Sequence, residues 1–150
     1  MQMVLRDRGL PELVEELRGK KVLIWTCNTC ARLCNVGGSS QAQRIATALR
    51  SEGIEVASVM SAKAACVMSS AEDLKKTMKC DYDTILALTC EAGSKVAFRV
   101  FGAGCVNPLV TVGTGYLDSI RGPMVFDADS GKECTLEEAS NRYALIIGPF

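Results

Sequence analysis

The sequence contains no histidine in its 150 residues. This absence excludes Ser-His-Asp and Cys-His catalysis, zinc sites built on imidazole, and a histidine proton shuttle. Basic and acidic residues are equal in number, 17 of each, so the chain lacks the surplus of Lys and Arg that nucleic-acid binding requires. We therefore expect a protein that does not bind nucleic acid and that holds any metal mainly by thiolates.

The sequence also lacks a long apolar run. No segment approaches the roughly 20 apolar residues that cross a bilayer. The first residues, MQMVLRDRGLPELVEELRGKK, carry charges where a signal peptide has an apolar centre. We expect a cytoplasmic protein with no membrane span. Because the cytosol is reducing, the eight cysteines are expected to serve metal or redox chemistry rather than disulfides.

Predicted strands alternate with amphipathic helices along most of the chain. The strands are KKVLIWTC, IEVASVMSA, YDTILALTC, NPLVTVG and GPMVFDA, and the helices between them are SSQAQRIATALRSEG, SSAEDLKKTMKC and SKVAFRVFG. Ser69 or Ser70 is predicted to cap the second helix, and Ser94 to begin the third. This alternation predicts a flavodoxin-like, doubly wound parallel sheet in a single domain over residues 1–150. A packing helix is expected at about residues 10–19, and an extension of undefined structure at about residues 121–150.

Five of the eight cysteines follow predicted strands. Cys27, Cys30 and Cys34 come after the first strand, Cys66 comes after the second, and Cys90 ends the third. In a flavodoxin-like strand order, 2-1-3, these three strands are neighbours, and ligands bind beyond their carboxyl ends. The five thiols are therefore predicted to converge on one edge of the sheet.

The spacing Cys-x-x-Cys-x-x-x-Cys is typical of a loop that wraps three thiolates around one centre. A [4Fe-4S] cluster requires one more cysteine, for which Cys90 and Cys66 are the candidates. Cys90 is favoured, because the usual ligand crevice lies between the first and third strands. The sequence therefore predicts an iron–sulfur electron-transfer or assembly subunit rather than an enzyme in its own right.

Two alternatives use the same residues. A structural zinc-binding interaction module would hold Zn²⁺ by the same thiolates. A thiol-disulfide oxidoreductase would use the pair Cys27 and Cys30, with Pro108 as a cis proline. The other cysteines, Cys80, Cys105 and Cys134, are predicted to be small apolar side chains of the core.

The segment NVGGSSQ, which precedes a predicted helix, has two interpretations. Glycines at a helix start are able to cradle a phosphate group, but this segment lacks the lysine and the spacing of a nucleotide-binding loop. A tight turn followed by a helix cap explains it better.

A family resemblance covers roughly residues 10–120. It is carried by LIWTCNTCARLCNVGGSSQAQRIATALRSEG, by the isolated Cys66, and by DTILALTCEAGSKVAFRVF followed by NPLVTVGTGYL. These features resemble the small iron–sulfur or zinc-binding subunit of bacterial and archaeal methylenetetrahydrofolate reductases, the methylenetetrahydrofolate reductase C-terminal-like domain. The resemblance implies an accessory subunit of the one-carbon metabolism of anaerobes, docked on a flavin-containing catalytic subunit.

The metal ligands that this resemblance implies are Cys27, Cys30, Cys34, Cys66 and Cys90. The family pattern continues into a second cysteine-rich segment, whereas here only Cys134 follows residue 120. We therefore expect a shortened form that lacks a second metal centre.

Overall fold

A computed structural model of the chain describes residues 1–127 and 129–150. These residues form a mixed α/β structure with two four-stranded sheets, one parallel and one antiparallel. The strands are β1 (Gln2–Arg6), β2 (Lys21–Cys27), β3 (Glu55–Ala62), β4 (Thr84–Leu88), β5 (Gly104–Val106), β6 (Leu109–Asp118), β7 (Gly122–Phe126) and β8 (Glu133–Thr135). The helices are α1 (Leu10–Leu17), α2 (Cys30–Leu33), α3 (Ser39–Ser51), α4 (Met68–Thr77), α5 (Glu91–Phe101) and α6 (Leu136–Tyr143).

The parallel sheet has the strand order β3-β2-β4-β5. Its first three strands along the chain are therefore neighbours in the expected order 2-1-3. β2 and β4 are rich in Val, Ile and Leu, and every residue of β4 is buried. Continuous apolar strands of this kind are typical of a parallel sheet that is covered on both faces.

Helices cover both faces of the parallel sheet, because adjacent residues of β2 contact different helices. The side-chain oxygen of Thr26 accepts a hydrogen bond from the backbone N–H of Gly38, at the start of α3, at 2.8 Å. The side chain of the preceding residue, Trp25, packs edge-on against Phe101 of α5 with ring centroids 5.2 Å apart. Neighbouring side chains of a strand point to opposite faces, so α3 and α5 lie on opposite sides.

Two helices start elsewhere than predicted. α4 begins at Met68 after Val67, which makes no side-chain cap, so neither Ser69 nor Ser70 caps it. α5 begins at Glu91, three residues before Ser94, and Cys90 is its N-cap residue. By contrast, α1 and α3 lie where the periodicity predicts them.

The antiparallel sheet has the order β1-β6-β7-β8 and was not predicted. The segments predicted as the fourth and fifth parallel strands are β6 and β7 of this sheet, and its edge strand β1 comes from the start of the chain. The fourth parallel strand is instead β5, which is only three residues long. A strand of this length is too short to show a hydrophobic period.

Two observations define the last part of the chain. The short helix α6 starts with a capping box, in which Thr135 and Glu138 satisfy one another's backbone N–H groups. Beyond α6, Ile146 forms an isolated bridge to Arg6 of β1, and the Arg6 guanidinium lies 4.1 Å from the centre of the Phe150 ring. The extension predicted from residue 121 thus contributes two strands and a helix to the antiparallel half.

None of the described helices is both long and apolar enough to cross a membrane.

Candidate metal centre

Three of the predicted thiols lie at the carboxyl end of the parallel sheet, and we call the region between the loop after β2 and the start of α5 the crevice. Cys27 is the last residue of β2, Cys30 is the first residue of α2, and Cys90 follows β4 as the N-cap residue of α5. β2 and β4 are direct neighbours, with Thr26 opposite Leu88. This pairing brings the cysteine loop after β2 beside the start of α5.

The electrostatics of Cys30 include contributions from the other two thiols. Burial raises the pKa of Cys30, and negative charge on Cys27 or Cys90 raises it further. Like charges disfavour each other's ionised form when they lie near one another. A bound cation would counteract this effect and hold the thiols as thiolates.

Cys34 is buried beside β1, and Cys27 and Cys90 are buried as well. The Cys34 thiol is 6% exposed, and burial raises its pKa to about 11. The Cys34 sulfur lies 3.8 Å from the thioether sulfur of Met3, which is fully buried in β1. Cys30 and Cys34 therefore both face the antiparallel sheet.

The free edge of β1 forms the wall opposite these two thiols. The backbone N–H of Gly115 donates to the carbonyl of Met1 at 2.8 Å. The backbone groups of the odd-numbered residues at the start of β1 therefore point toward β6, and those of the even-numbered residues point toward the free edge. The backbone amide of Gln2 faces Cys30 and that of Val4 faces Cys34, and each lowers the pKa of its thiol in part, against the larger effect of burial. Gln2 and Val4, two residues apart in the extended strand β1, thus match Cys30 and Cys34, which are four residues apart at the two ends of α2.

Cys27 is held by the backbone on either side of the crevice. Its sulfur accepts a hydrogen bond from the backbone N–H of Thr29 at 3.4 Å and lies 4.0 Å from the carbonyl oxygen of Lys63. The Thr29 hydroxyl donates to the same Lys63 carbonyl. The loop after β2 is therefore tied to the loop after β3.

The glycine-rich turn before α3 is a capped helix start. The backbone N–H of Gly38 donates to Thr26, and that of Ser39 donates to the side-chain oxygen of Asn28 at 2.9 Å. A β-carbon at Gly37 would lie 2.6 Å from that of Ala31, so only glycine lets the turn pass this close to α2. The interpretation of NVGGSSQ as a turn and cap is consistent with these contacts, because two amides that would bind a phosphate are already bonded.

The antiparallel sheet also fixes the position of Cys90. The hydroxyl of Thr111 in β6 accepts a hydrogen bond from the backbone N–H of Glu91 at 2.9 Å. The side-chain amide of Asn107 donates to the carbonyl of Thr89 at 3.1 Å. Thr89 and Glu91, the residues on either side of Cys90, are thus hydrogen-bonded to the segment before β6 and to β6 itself.

Cys66 and the three remaining cysteines lie apart from this arrangement. Cys66 is exposed in the loop between β3 and α4. Cys80, Cys105 and Cys134 are half-buried, so the prediction that they are core side chains holds only in part. The sulfur of Cys105 lies 3.4 Å from the hydroxyl of Ser94, beside α5.

Three further observations bear on the predicted chemistries. Within the described residues, no three Cys, Asp or Glu side chains are grouped closely enough to hold a single metal ion. The peptide bonds of residues 1–127 include no cis bond, so the predicted cis Pro108 is wrong. The raised pKa of Cys30 is also the opposite of what a reactive thiol pair requires.

No family model, curated protein or solved structure matches this chain.

Sequence analysis missed the residues that wall the crevice, namely Gln2, Met3, Val4 and Thr111. One signal for β1 was present in the sequence: the short apolar run Met3–Leu5, bounded by Gln2 and Arg6, has the length of a buried strand. No comparable signal identifies Thr111 as a partner of Glu91. That contact exists only because the two sheets meet at the crevice.

Proposed function

We propose that this chain is an accessory redox subunit that holds a [4Fe-4S] cluster on cysteine thiolates and exchanges electrons with a flavin-containing catalytic subunit. We further propose that the parallel half is a flavodoxin-like, doubly wound unit of the methylenetetrahydrofolate reductase C-terminal-like family, working in the cytoplasm. The proposed ligands are Cys27, Cys30, Cys34 and Cys90, with Cys66 as the alternative for the fourth position.

The placement of Cys27, Cys30 and Cys90 after the neighbouring strands β2 and β4 is the observation that carries this proposal. The donor set consists of thiols, which is the ligand chemistry of iron–sulfur clusters and of all-cysteine zinc sites. The strand order 2-1-3 also supports it, since ligands of such sheets bind beyond the strand ends where these cysteines lie. Cys90 is favoured over Cys66 because it influences the pKa of Cys30, whereas Cys66 is exposed.

When bound, a [4Fe-4S] cluster supplies one-electron transfer. The chain's own residues would stabilise the negative charge of the thiolates. The backbone amides of Gln2 and Val4 face Cys30 and Cys34, and hydrogen bonds from amides to sulfur raise the potential of such centres. Met3 and Trp25, both fully buried, would keep water away from one side of the site.

The family resemblance supports a flavin-containing partner. The chain contains no histidine, so it has no imidazole for acid–base chemistry of its own. An accessory role beside a flavoenzyme suits such a chain. Reduction of the substrate would then occur on the partner subunit.

A series of Cys→Ser variants tests the proposed ligands. Anaerobically purified protein is expected to contain iron and acid-labile sulfide in equal amounts and to absorb visible light, as iron–sulfur clusters do. Cys30→Ser and Cys90→Ser are expected to lose most of this absorbance, because each removes a thiolate from the crevice. Iron, sulfide and zinc analysis and visible spectroscopy measure the outcome.

Cys80→Ser and Cys66→Ser are the matched controls, since both change a cysteine outside the crevice. Both are expected to keep the native iron content. Loss of iron in Cys66→Ser with retention in Cys90→Ser would move the fourth ligand to Cys66. One zinc per chain without iron or sulfide would favour the zinc-binding module, and metal-free protein with freely titratable thiols would refute a metal centre altogether.

A further inference from the structure

The edge strand β3 differs from the other three edge strands of the molecule. β5 and β8 are only three residues long, and the free edge of β1 faces the Cys30 and Cys34 thiols and the bridge to Ile146. β3 is eight residues long, and within the described residues β2 is its only neighbouring strand. Proteins usually shorten, cover or charge such an edge, because its unpaired N–H and C=O groups invite another strand.

A groove runs along this free edge. Five consecutive residues of β3, from Ala57 to Ser61, line one side of it. Consecutive side chains of a strand point to opposite faces, so a groove lined by all five follows the edge rather than one face. The opposite side is formed by the end of α4 and the residues after it, among them Leu74 and Met78. The site therefore fits an extended strand.

The charges at the two ends of β3 are complementary to those of a second, antiparallel copy, whereas Lys79 lines the other side of the groove. Glu55 begins the strand and Lys63 follows its end, both are exposed, and no charged residue lies between them. If β3 pairs antiparallel with β3 of a second copy, about a two-fold axis at Val59, then Glu55 of each copy lies opposite Lys63 of the other to within the one-residue shift that the bulge at Ala57 introduces. Opposite charges directly across an antiparallel pair stabilise it, and a two-fold axis makes the interface self-complementary.

We propose that β3 is a dimerisation edge, and that two copies of this chain join their parallel sheets into one continuous eight-stranded sheet through antiparallel β3–β3 pairing. The crevice of Cys27 lies at the carboxyl end of β2, beside Lys63. Antiparallel pairing places the two crevices toward opposite ends of the shared sheet. Dimerisation therefore leaves both crevices free for a redox partner, and it does not depend on which metal they hold.

Charge reversal tests this pairing directly. Sedimentation equilibrium of the full chain measures the dissociation constant of the dimer for the native protein, for Glu55→Lys, for Lys63→Glu and for the double variant. Each single reversal turns two attractive pairs into two repulsive ones and is expected to weaken the dimer about tenfold. The double variant restores opposite charges and is expected to return to within about threefold of the native value.

Two further variants separate pairing at the edge from general surface effects. Val59→Lys places two like charges at the proposed axis and is expected to abolish the dimer, whereas Ile120→Lys changes the 93% exposed tip of the β6–β7 hairpin and is expected to leave it intact. Circular dichroism checks that each variant is folded. A native protein that is monomeric at all concentrations would overturn the proposal, as would a dimer that the single reversals do not weaken or that the double variant does not restore.

Discussion

The parallel sheet and the antiparallel sheet differ in their exposure to solvent. All five residues of β4 and six of the seven residues of β2 are buried. In β6, the longest strand of the antiparallel sheet, only the first residue is fully buried, and Tyr116 and Leu117 are exposed. A sheet covered on two faces forms the centre of the core, whereas a sheet covered on one face leaves side chains free for other contacts.

The two sheets also contribute different chemistry to the crevice. All the candidate ligands belong to the segments that follow the parallel strands, whereas Gln2, Val4 and Thr111 of the antiparallel sheet offer backbone amides and a hydroxyl. The parallel half thus carries the thiols of the proposed metal site, and the antiparallel half forms a wall beside them. Three substitutions test this division of roles, in order of expected effect.

The largest expected effect follows removal of a core side chain from the parallel sheet. Leu86 of β4 is fully buried, so Leu86→Ala is expected to lower the free energy of unfolding by about 3 kcal/mol. Leu117→Ala makes the same chemical change at a position that is 51% exposed in β6, and its expected cost is below about 0.5 kcal/mol. Urea unfolding of both variants measures the difference, and equal losses would contradict the contrast between the sheets.

A smaller effect is expected from crowding the antiparallel sheet. A β-carbon at Gly115 of β6 would lie 1.8 Å from the carbonyl oxygen of Met124 in β7, and the backbone there must shift to admit it. Gly115→Ala is therefore expected to cost about 2 kcal/mol. Gly104→Ala in β5 is the control, because a β-carbon there meets nothing within 4 Å.

The unfolding midpoint in urea compares these two glycine variants. Gly104→Ala is expected to be neutral or slightly stabilising, since alanine reduces the freedom of the unfolded chain. A Gly115→Ala variant as stable as the Gly104→Ala variant would mean that β6 and β7 separate easily. The wall of the crevice would then be less rigid than its contacts imply.

The smallest effect is expected where the two sheets meet. Thr111→Val keeps the shape of the side chain but removes the hydroxyl that accepts from the backbone N–H of Glu91. Loss of such a bond at a helix start is expected to cost about 1 kcal/mol. Thr114→Val, an exposed site on the same strand, should stay within about 0.5 kcal/mol of the native protein.

Thermal unfolding of the two threonine variants provides this comparison. If Thr111→Val also lowers the metal content of purified protein while Thr114→Val does not, the hydroxyl helps to position Cys90. If the two variants are equally stable, the contact between Thr111 and Glu91 contributes nothing measurable to joining the sheets.

The sequence alone was sufficient for much of the parallel half. Apolar stripes predicted α1 and α3, with Leu13, Val14 and Leu17 buried in the first of them. Apolar runs predicted β2, β3 and β4, and their spacing predicted the neighbour order that is found. These predictions succeed because helix and strand periodicity is written in residues that are close along the chain.

The place of Cys90 in the site was likewise within reach of the sequence. The prediction needed only that β2 and β4 be neighbours, which follows from the regular alternation of strands and helices. The orientation of Cys34 was not within reach, because its neighbour Met3 belongs to β1. The start of α5 at Glu91 was also not within reach, because the backbone N–H of Glu91 donates to the Thr111 hydroxyl of β6.

Local sequence thus determined the buried strands, the helix faces and the order of the thiols along the chain. Tertiary structure decided that β6 and β7 leave the parallel sheet, that β1 pairs with β6, and that the amides of Gln2 and Val4 face two cysteines. The physical reason is the range of the interactions. Periodicity reports which face of an element is apolar, whereas the partner of an edge strand is set by contacts between residues far apart in the chain, which no local pattern encodes.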